Sequence, residues 1–327
     1  MTKLNLTVAC GEYEIVRPLI EGHIKADGID LTFVTAMDST TRHWRFLRNK
    51  DFDVAEVSAS GFLASKARSD EFYALPVFLH RRFRHGFIYI NTSKGISKPT
   101  DLIGKKVGVK SYLVTATLWL RGILEEHYGV PHKSIEWYSE LDEDVDINLP
   151  EGVSLTKIPD DKSIEQMLLD GEIDALLHPD LIPSIRNRDP RVGRLFTDYK
   201  VEEIAYYQKT AIFPIMHVLG IKKEIVDRHP WVAINLYKAF DEARRVAMKT
   251  MQDPRRVPLA WYREAWEEQQ AILGDDPWEY GLTAENIANI ETLAKYSHEQ
   301  GLTSRFLSAE DLFLPISEGR RRGKGYF

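Results

Sequence analysis

Proton transfer near neutral pH calls for imidazole or for a carboxylate in an unusual setting, and this chain places both beside apolar segments. His178 directly follows the apolar run 173–177, His217 interrupts the run 213–219, and His85 ends the basic stretch His80-Arg81-Arg82-Phe83-Arg84-His85. Glu56 lies among strand formers in Val54-Ala55-Glu56-Val57, where a carboxylate needs a partner. Two readings of Glu56 stay open, an acid or base of the reaction and an ion pair with an arginine such as Arg45. His217 fits a catalytic group and a hydrogen-bonded core histidine equally well. Glu12, at the end of the first apolar run, is a further polar candidate facing a ligand.

The second chemistry is anion binding. Residues 101–121 read as a turn, a short buried strand at 106–109, and the polar loop Lys110-Ser111-Tyr112-Leu113-Val114-Thr115 running into an amphipathic helix. Apolar residues at Ala116, Leu120, Ile123 and Leu124 follow the helical period, and Gly129 with Pro131 stops it. First-turn amides lack intrahelical partners and the helix dipole favours negative charge there, so Lys110, Tyr112, Thr115 and Thr117 form one candidate anion wall. Thr115 or Thr117 would serve equally as a helix cap. Ser58 and Ser60 open another helix and offer the same two readings. Arg82 and Arg84 are the first choice for holding carboxylates, with Arg45 next, because the guanidinium fork matches a carboxylate bidentately. The arginines of RRFR would also suit a solvated surface.

These groups need a scaffold, and the pattern supplies one. Strands are expected at 4–9, 31–35, 53–57, 77–79, 87–91, 106–109, 134–138, 173–177 and 213–221, with helices between many of them, the first over 16–25. Alternating strands and helices indicate βαβ units and mainly parallel sheets. Ser163 and Gln166 have capping-box spacing before a helix that stops at Gly171. Segments 140–146 and 150–152 read as an exposed loop. Beyond Lys222 the chain is largely helical, and its aromatic residues read as core. Residues 1–90 with 212–327 are expected to form one discontinuous domain and 91–211 the other.

With 327 residues, 43% hydrophobic and 28% charged, the chain has ample core for two domains. A net charge of −6 argues against a general nucleic-acid binder, and the basic run Arg320-Arg321-Arg322-Gly323-Lys324 reads as a solvated end. Cys10 is the sole cysteine, which leaves no intrachain disulfide, thiolate zinc site or iron–sulfur cluster. Neither an HExxH motif nor metal-ligand His/Cys spacing occurs, so no metal and no organic cofactor is expected. No apolar run has the length to span a bilayer, and a start at Met followed directly by a strand reads as cytoplasmic.

Several stretches together carry a resemblance. DFDVAEVSASGFLA, FRHGFIYIN, DLIGKKVGVKSYLVTATLWLRGILEEHYGV, SIEQMLLDGEIDALLHPD and FPIMHVLGIKKEIV resemble type II periplasmic-binding-protein folds, and among these the 4,5-dihydroxyphthalate decarboxylases. The resemblance implies α/β architecture, with two doubly wound domains flanking a ligand cleft and a helical C-terminal extension. It also implies non-oxidative loss of CO2 from a dihydroxylated phthalate, giving protocatechuate, in phthalate degradation. The partner would be a small aromatic dicarboxylate, with no nucleic acid and no membrane, and a homo-oligomer is compatible with the sequence. Losing CO2 directly would leave an aryl carbanion. Protonating the ring carbon para to a hydroxyl avoids that, so the site needs a general acid, an acceptor for the phenol and cations for the carboxylates. His178, His217, His85 and Glu56 are the expected proton-transfer groups. Two other classes fit the same scaffold: a non-catalytic solute-binding protein for an organic anion, and another cytoplasmic lyase such as chorismate dehydratase. The thiamine-pyrimidine synthase group uses a cysteine-rich iron motif that one cysteine does not provide.

Overall fold

A computed structural model describes residues 2–316, so the basic run at 320–324 lies outside the described residues. Eleven strands fall into two sheets among these residues. The first holds β1 (Leu4–Ala9), β2 (Ile29–Val34), β3 (Val54–Ser58), β4 (Phe72–Arg81) and β11 (Ile215–Lys222), in the order β2-β1-β3-β11-β4. The second holds β5 (Ile88–Asn91), β6 (Lys106–Val109), β7 (Glu136–Ser139), β8 (Ser154–Lys157), β9 (Ala175–Leu177) and β10 (Val192–Arg194), in the order β10-β5-β9-β6-β7-β8. Parallel pairing joins β1 to β2 and β3, and joins β6, β7, β8 and β9, as expected for βαβ units. β11 runs antiparallel to both β3 and β4. The chain crosses between sheets through residues 82–87 and returns through 195–214.

Local chemistry explains where the elements depart from expectation. The helix expected over 16–25 is only Arg17–Ile20, because Gly22 takes a left-handed φ of 75° and turns the chain away. β4 is longer than 77–79 and passes through Pro76, which a strand tolerates at a sheet edge. Register shifts against β11 absorb the missing donor. The helix Thr115–Tyr128 ends as expected at Gly129, with φ 67°. Ser163 precedes the helix Ile164–Leu169 without a side-chain cap. β8, β10 and the helix Tyr199–Thr210 carry no clear sequence signal, since their residues are mostly half-exposed or polar.

The helical C-terminal third does more than cover the first sheet. Helix Ala284–Glu299 and the turn after it reach the helix Thr115–Tyr128 as well. Gln300 accepts a hydrogen bond from Arg121 Nε at 2.7 Å and donates to the Leu118 carbonyl at 3.1 Å. Asn289 holds both the Phe213 carbonyl and the Ile215 amide at the start of β11. Not all the aromatic residues here are core: Trp231 and Trp261 are exposed.

Gly108 in β6 shows how closely the second sheet is packed. A Cβ there would stand 2.6 Å from Ile164 and 2.7 Å from Ile173. Replacing Gly108 with Ala is expected to lower stability by about 1–3 kcal/mol, as overpacking of a filled core does. Urea unfolding checks this. An unchanged midpoint would mean that both isoleucines swing aside without strain.

Candidate active site

Glu56 stands on β3, a strand buried along its whole length, so its carboxylate is out of water. An unpaired charge there would cost several kcal/mol. Four donors converge on it. The Gly11 amide donates at 2.8 Å, Tyr13 Oη at 2.6 Å and Arg42 through a buried ion pair at 2.7 Å, and His217 Nδ1 makes a short hydrogen bond. Gly11 and Tyr13 come from the turn after β1. Arg42 comes from the helix Ser39–Trp44, which Asp38 caps by accepting the Thr41 amide. His217 comes from β11, whose register sets it opposite Ser58 of β3. Burial pushes the Glu56 carboxyl up, but His217, Arg42 and Tyr13 together hold it well below the usual carboxylate range. Glu56 is therefore an anion that orients its neighbours, and the sequence expectation of an acid at this position is corrected. Its arginine partner is Arg42, whereas Arg45 pairs with Asp51 at 2.7 Å.

Two further histidines flank His217 edge to face, His43 and His80, each with ring centroids 4.8 Å away. Burial, reinforced by His217, drives the His43 imidazole well below its ordinary value and brings His80 down to about 2. Both rings are therefore neutral at pH 7. Of the three, only His217 touches a carboxylate. A carboxylate only accepts, so Nδ1 carries the proton toward Glu56 and Nε2 is left for a ligand.

His43, His80 and His217 share a cleft with Ser58, Arg84, Lys110, Ser111, Val114, Thr115, Ala116 and Asp144. Its walls come from both sheets. Arg84 is 2% exposed; it donates to the Pro179 carbonyl at 2.6 Å and to Met216 Sδ at 3.1 Å, with no carboxylate partner among the described residues. Burial and then repulsion from Arg82 bring its pKa down to about 9. Lys110 also has no ion pair among the described residues.

The loop before helix Thr115–Tyr128 differs from its expected form. Two of its amides, Tyr112 and Leu113, already hold the Glu143 carboxylate at 2.7 and 2.8 Å. The amides of Val114, Thr115 and Ala116 pair with nothing among the described residues, and these three line the cleft. Thr115 is no cap. Its hydroxyl bonds Ser58 Oγ at 2.8 Å and Ser60 Oγ at 2.9 Å, which fastens one wall to the other. Thr117 donates to the Val114 carbonyl, and Tyr112 is buried beneath Arg121, whose guanidinium lies 3.7 Å from the ring centre.

Of the residues expected at the site, Arg84, Lys110, Ser58, Thr115 and His217 line this cleft. Ser60 and Glu56 stand directly behind it. Arg82 is instead exposed, its guanidinium over the Phe87 ring. Arg45, Tyr112 and Thr117 are held by the contacts just given. His85 is enclosed by Tyr128, Phe196 and Tyr206, because the turn His85–Phe87 points it away from β4's end. Glu12 is exposed and accepts from Thr35. His178 bonds the Asp180 backbone, and its neighbours Pro179 and Asp180 face the cleft in its place. Sequence reasoning missed Tyr13, Arg42, His43, His80 and Asp144. His80 ends the apolar strand 72–81, so the argument that flagged His217 would have found it. No group of three or more His, Cys, Asp or Glu residues among the described residues is placed to hold a metal.

Comparison with known proteins gives this geometry a family. A 4,5-dihydroxyphthalate decarboxylase of Comamonas testosteroni is 36% identical over 326 residues, covering 97% of this chain and 98% of the relative. The chain belongs to the 4,5-dihydroxyphthalate decarboxylase family. A second member, from Pseudomonas putida, is 35% identical over 205 residues, 61% of this chain and 79% of its own. No family model matches the chain. In fold it is periplasmic-binding-protein-like: the alkanesulfonate-binding protein SsuA of Xanthomonas axonopodis pv. citri superposes with TM-score 0.56 at 12% identity, over 96% of this chain and 98% of that one.

Glu56→Gln should destabilise the protein at pH 7 by about 3–5 kcal/mol, because it leaves Arg42 buried without its counter-charge. The sign with pH follows from the depressed carboxyl. Its contribution is complete above the unfolded value of about 4.3 and is lost as pH falls through the lower folded value. The stability gap between wild type and variant, followed by urea unfolding, should stay open to about pH 4 and close only below it. A gap that already narrows near pH 6 would show that Glu56 is not an anion in the fold.

Proposed function

We propose that this chain is a carboxy-lyase that converts 4,5-dihydroxyphthalate to protocatechuate and CO2 in the cleft, as its relatives' name describes. The observation that carries the reading is Arg84, a buried guanidinium without a carboxylate of its own, lining the same cleft as the Glu56-held His217. Arg84 and Lys110, with the free amides of Val114–Ala116, receive the substrate's two carboxylates. His217 acts in this step with a proton on each ring nitrogen: it gives the Nε2 proton to the ring carbon bearing the leaving carboxylate, while its Nδ1 proton stays with Glu56. That carbon becomes tetrahedral, its bond to the carboxylate breaks, and the bond's electron pair returns to the ring as CO2 departs. One proton enters and one CO2 leaves, so the dianion becomes a monoanion. His43 and His80, both neutral, add no competing charge beside the donor.

The reading treats residues 1–90 with 212–327 as one lobe and 91–211 as the other; sheet membership supports the division except at β5 (Ile88–Asn91), which pairs in the second sheet. It places the reaction in the cytoplasm, a location consistent with a relative named as a decarboxylase. Separately, no helix among the described residues is long and apolar enough to cross a membrane. The binding-protein alternative finds less support, because the relative that matches over 97% of the chain at 36% identity is named as a decarboxylase.

Purified protein incubated with 4,5-dihydroxyphthalate should release CO2 and protocatechuate, and a chelator in a parallel assay tests for a metal requirement. Binding without product at every pH from acid to mild base would overturn the enzyme reading. Arg84→Ala should raise KM by about ten- to a hundredfold, since a hydrogen bond to a charged group is worth about 1.5–3 kcal/mol. An unchanged KM would remove Arg84 from the site.

A further inference from the structure

Protonating a ring carbon is easy only if the para hydroxyl releases its proton as the ring accepts another, so the reaction needs an acceptor at the hydroxylated edge of the substrate. His43 and His80 are poor acceptors because burial depresses both imidazoles, and the remaining groups of the cleft narrow the choice by elimination. Arg84 and Lys110 only donate. Glu56 already takes four donors. Asp142 is bound to Lys157 at 3.0 Å, and its side chain is 94% exposed. Asp180 is exposed beside Arg84. Asp144 is half-buried, lines the cleft, and has no hydrogen-bond or ion-pair partner for its carboxylate among the described residues.

Its backbone, by contrast, is held from both walls. Arg48, on the first-sheet side, donates to the Asp144 carbonyl at 2.9 Å and to the Glu143 carbonyl at 3.3 Å, and pairs with Asp146 at 2.9 Å. Glu143, next in sequence, is anchored on the amides of Tyr112 and Leu113. The loop is tied at both sides, and Asp144 lines the cleft with its carboxylate unengaged by any hydrogen bond or ion pair among the described residues. That combination suits a group waiting for a ligand's donor better than a solvated loop residue.

We propose that Asp144 accepts the proton of the substrate hydroxyl para to the leaving carboxylate, and thereby selects hydroxylated phthalates. The inference rests on the decarboxylase reading above. The charged groups that act on Arg84 are Arg82, Asp180 and Glu203, while those acting on Asp144 are Glu143 and Arg48. Arg84 and Asp144 reach the cleft from different segments, the crossover after β4 and the loop after β7. A ring with carboxylates on one edge and hydroxyls on the other can set the first against Arg84 and the second against Asp144. In the step, the hydroxyl O–H breaks toward Asp144 and its electron pair becomes the ring carbonyl. The para carbon takes the His217 proton, and CO2 leaves. The phenolate so restored takes its proton back from Asp144, so the net demand is one proton, delivered through His217.

Burial, then repulsion from Glu143, raises the Asp144 carboxyl to about 6 against the pull of Arg48. The other titratable side chains on the cleft are His43, His80, His217, Lys110, Asp142 and Asp180. Asp144 must be ionised to accept, so kcat should rise with pH through an acid limb near 6.

The test uses the full chain with Asp144→Asn and Asp144→Glu. Asp144→Asn should lower kcat by about a hundredfold or more, as loss of a general base does. It should also erase the acid limb near pH 6, and Asp144→Glu should restore part of both. Calorimetry supplies a readout independent of turnover: wild type should bind 4,5-dihydroxyphthalate at least about tenfold more tightly than phthalate, and Asp144→Asn should lose that preference while still binding phthalate. Retained phthalate binding shows that the variant is folded. If wild type prefers the hydroxylated ligand without turning it over, the decarboxylase reading falls and the recognition role of Asp144 stands. If Asp144→Asn keeps the acid limb, or keeps the preference, the role assigned to Asp144 is overturned.

Discussion

The buried carboxylate of Glu56 is the constraint on which the site depends. It draws in the turn after β1 through Gly11 and Tyr13, the helix Ser39–Trp44 through Arg42, and β11 through His217. Backbone pairing already sets β1 and β11 beside β3. The need to neutralise one desolvated charge then draws the side chains of the turn, the helix and β11 to a single point. A carboxylate surrounded this way does not change protonation near neutral pH. The imidazole it holds therefore has one nitrogen committed and one available, which is the form a proton donor of fixed direction requires.

The contacts between the two walls are of another kind. Ser58, Ser60 and Thr115 meet through hydroxyls, and Trp119 Nε1 donates to the Ile215 carbonyl at 2.9 Å. Neutral bonds of this type are each worth about 0.5–1.5 kcal/mol net. Breaking the Glu56 ion pair costs several times more.

How much of this was legible in the sequence depends on whether the cause is local. The strands at 4–9 and 106–109, the Gly129 stop and the resemblance to a family rest on residues next to one another in the chain, and they read correctly. Glu56 was flagged because a carboxylate among strand formers is anomalous in itself. Its partner was not, since Arg42 and Arg45 are equally placed in the sequence and only the turn of a six-residue helix decides between them. Arg82 and Arg84 differ in the same way: adjacent positions in a basic run, one exposed and one buried. Asp144 had no signal at all. Its loop reads as solvent-exposed from composition, and it is enclosed because Arg48, 96 residues away, holds it.

Arg84 explains why the cleft should bind an anion strongly even though the loop amides at Tyr112 and Leu113 are already taken by Glu143. Among the described residues this buried guanidinium bonds the Pro179 carbonyl and the Met216 sulfur and lies over the Phe87 ring, none of which supplies a full counter-charge. The folded protein carries that desolvation cost whether or not a ligand is present. A carboxylate entering the cleft supplies the missing counter-charge in a poorly screened setting, where a charge-assisted pair is strongest. A neutral solute could not recover that cost, and a ligand with its charge at the wrong edge would set it against Asp144. The discrimination therefore comes from charges the fold has left unpaired at both ends of one cleft.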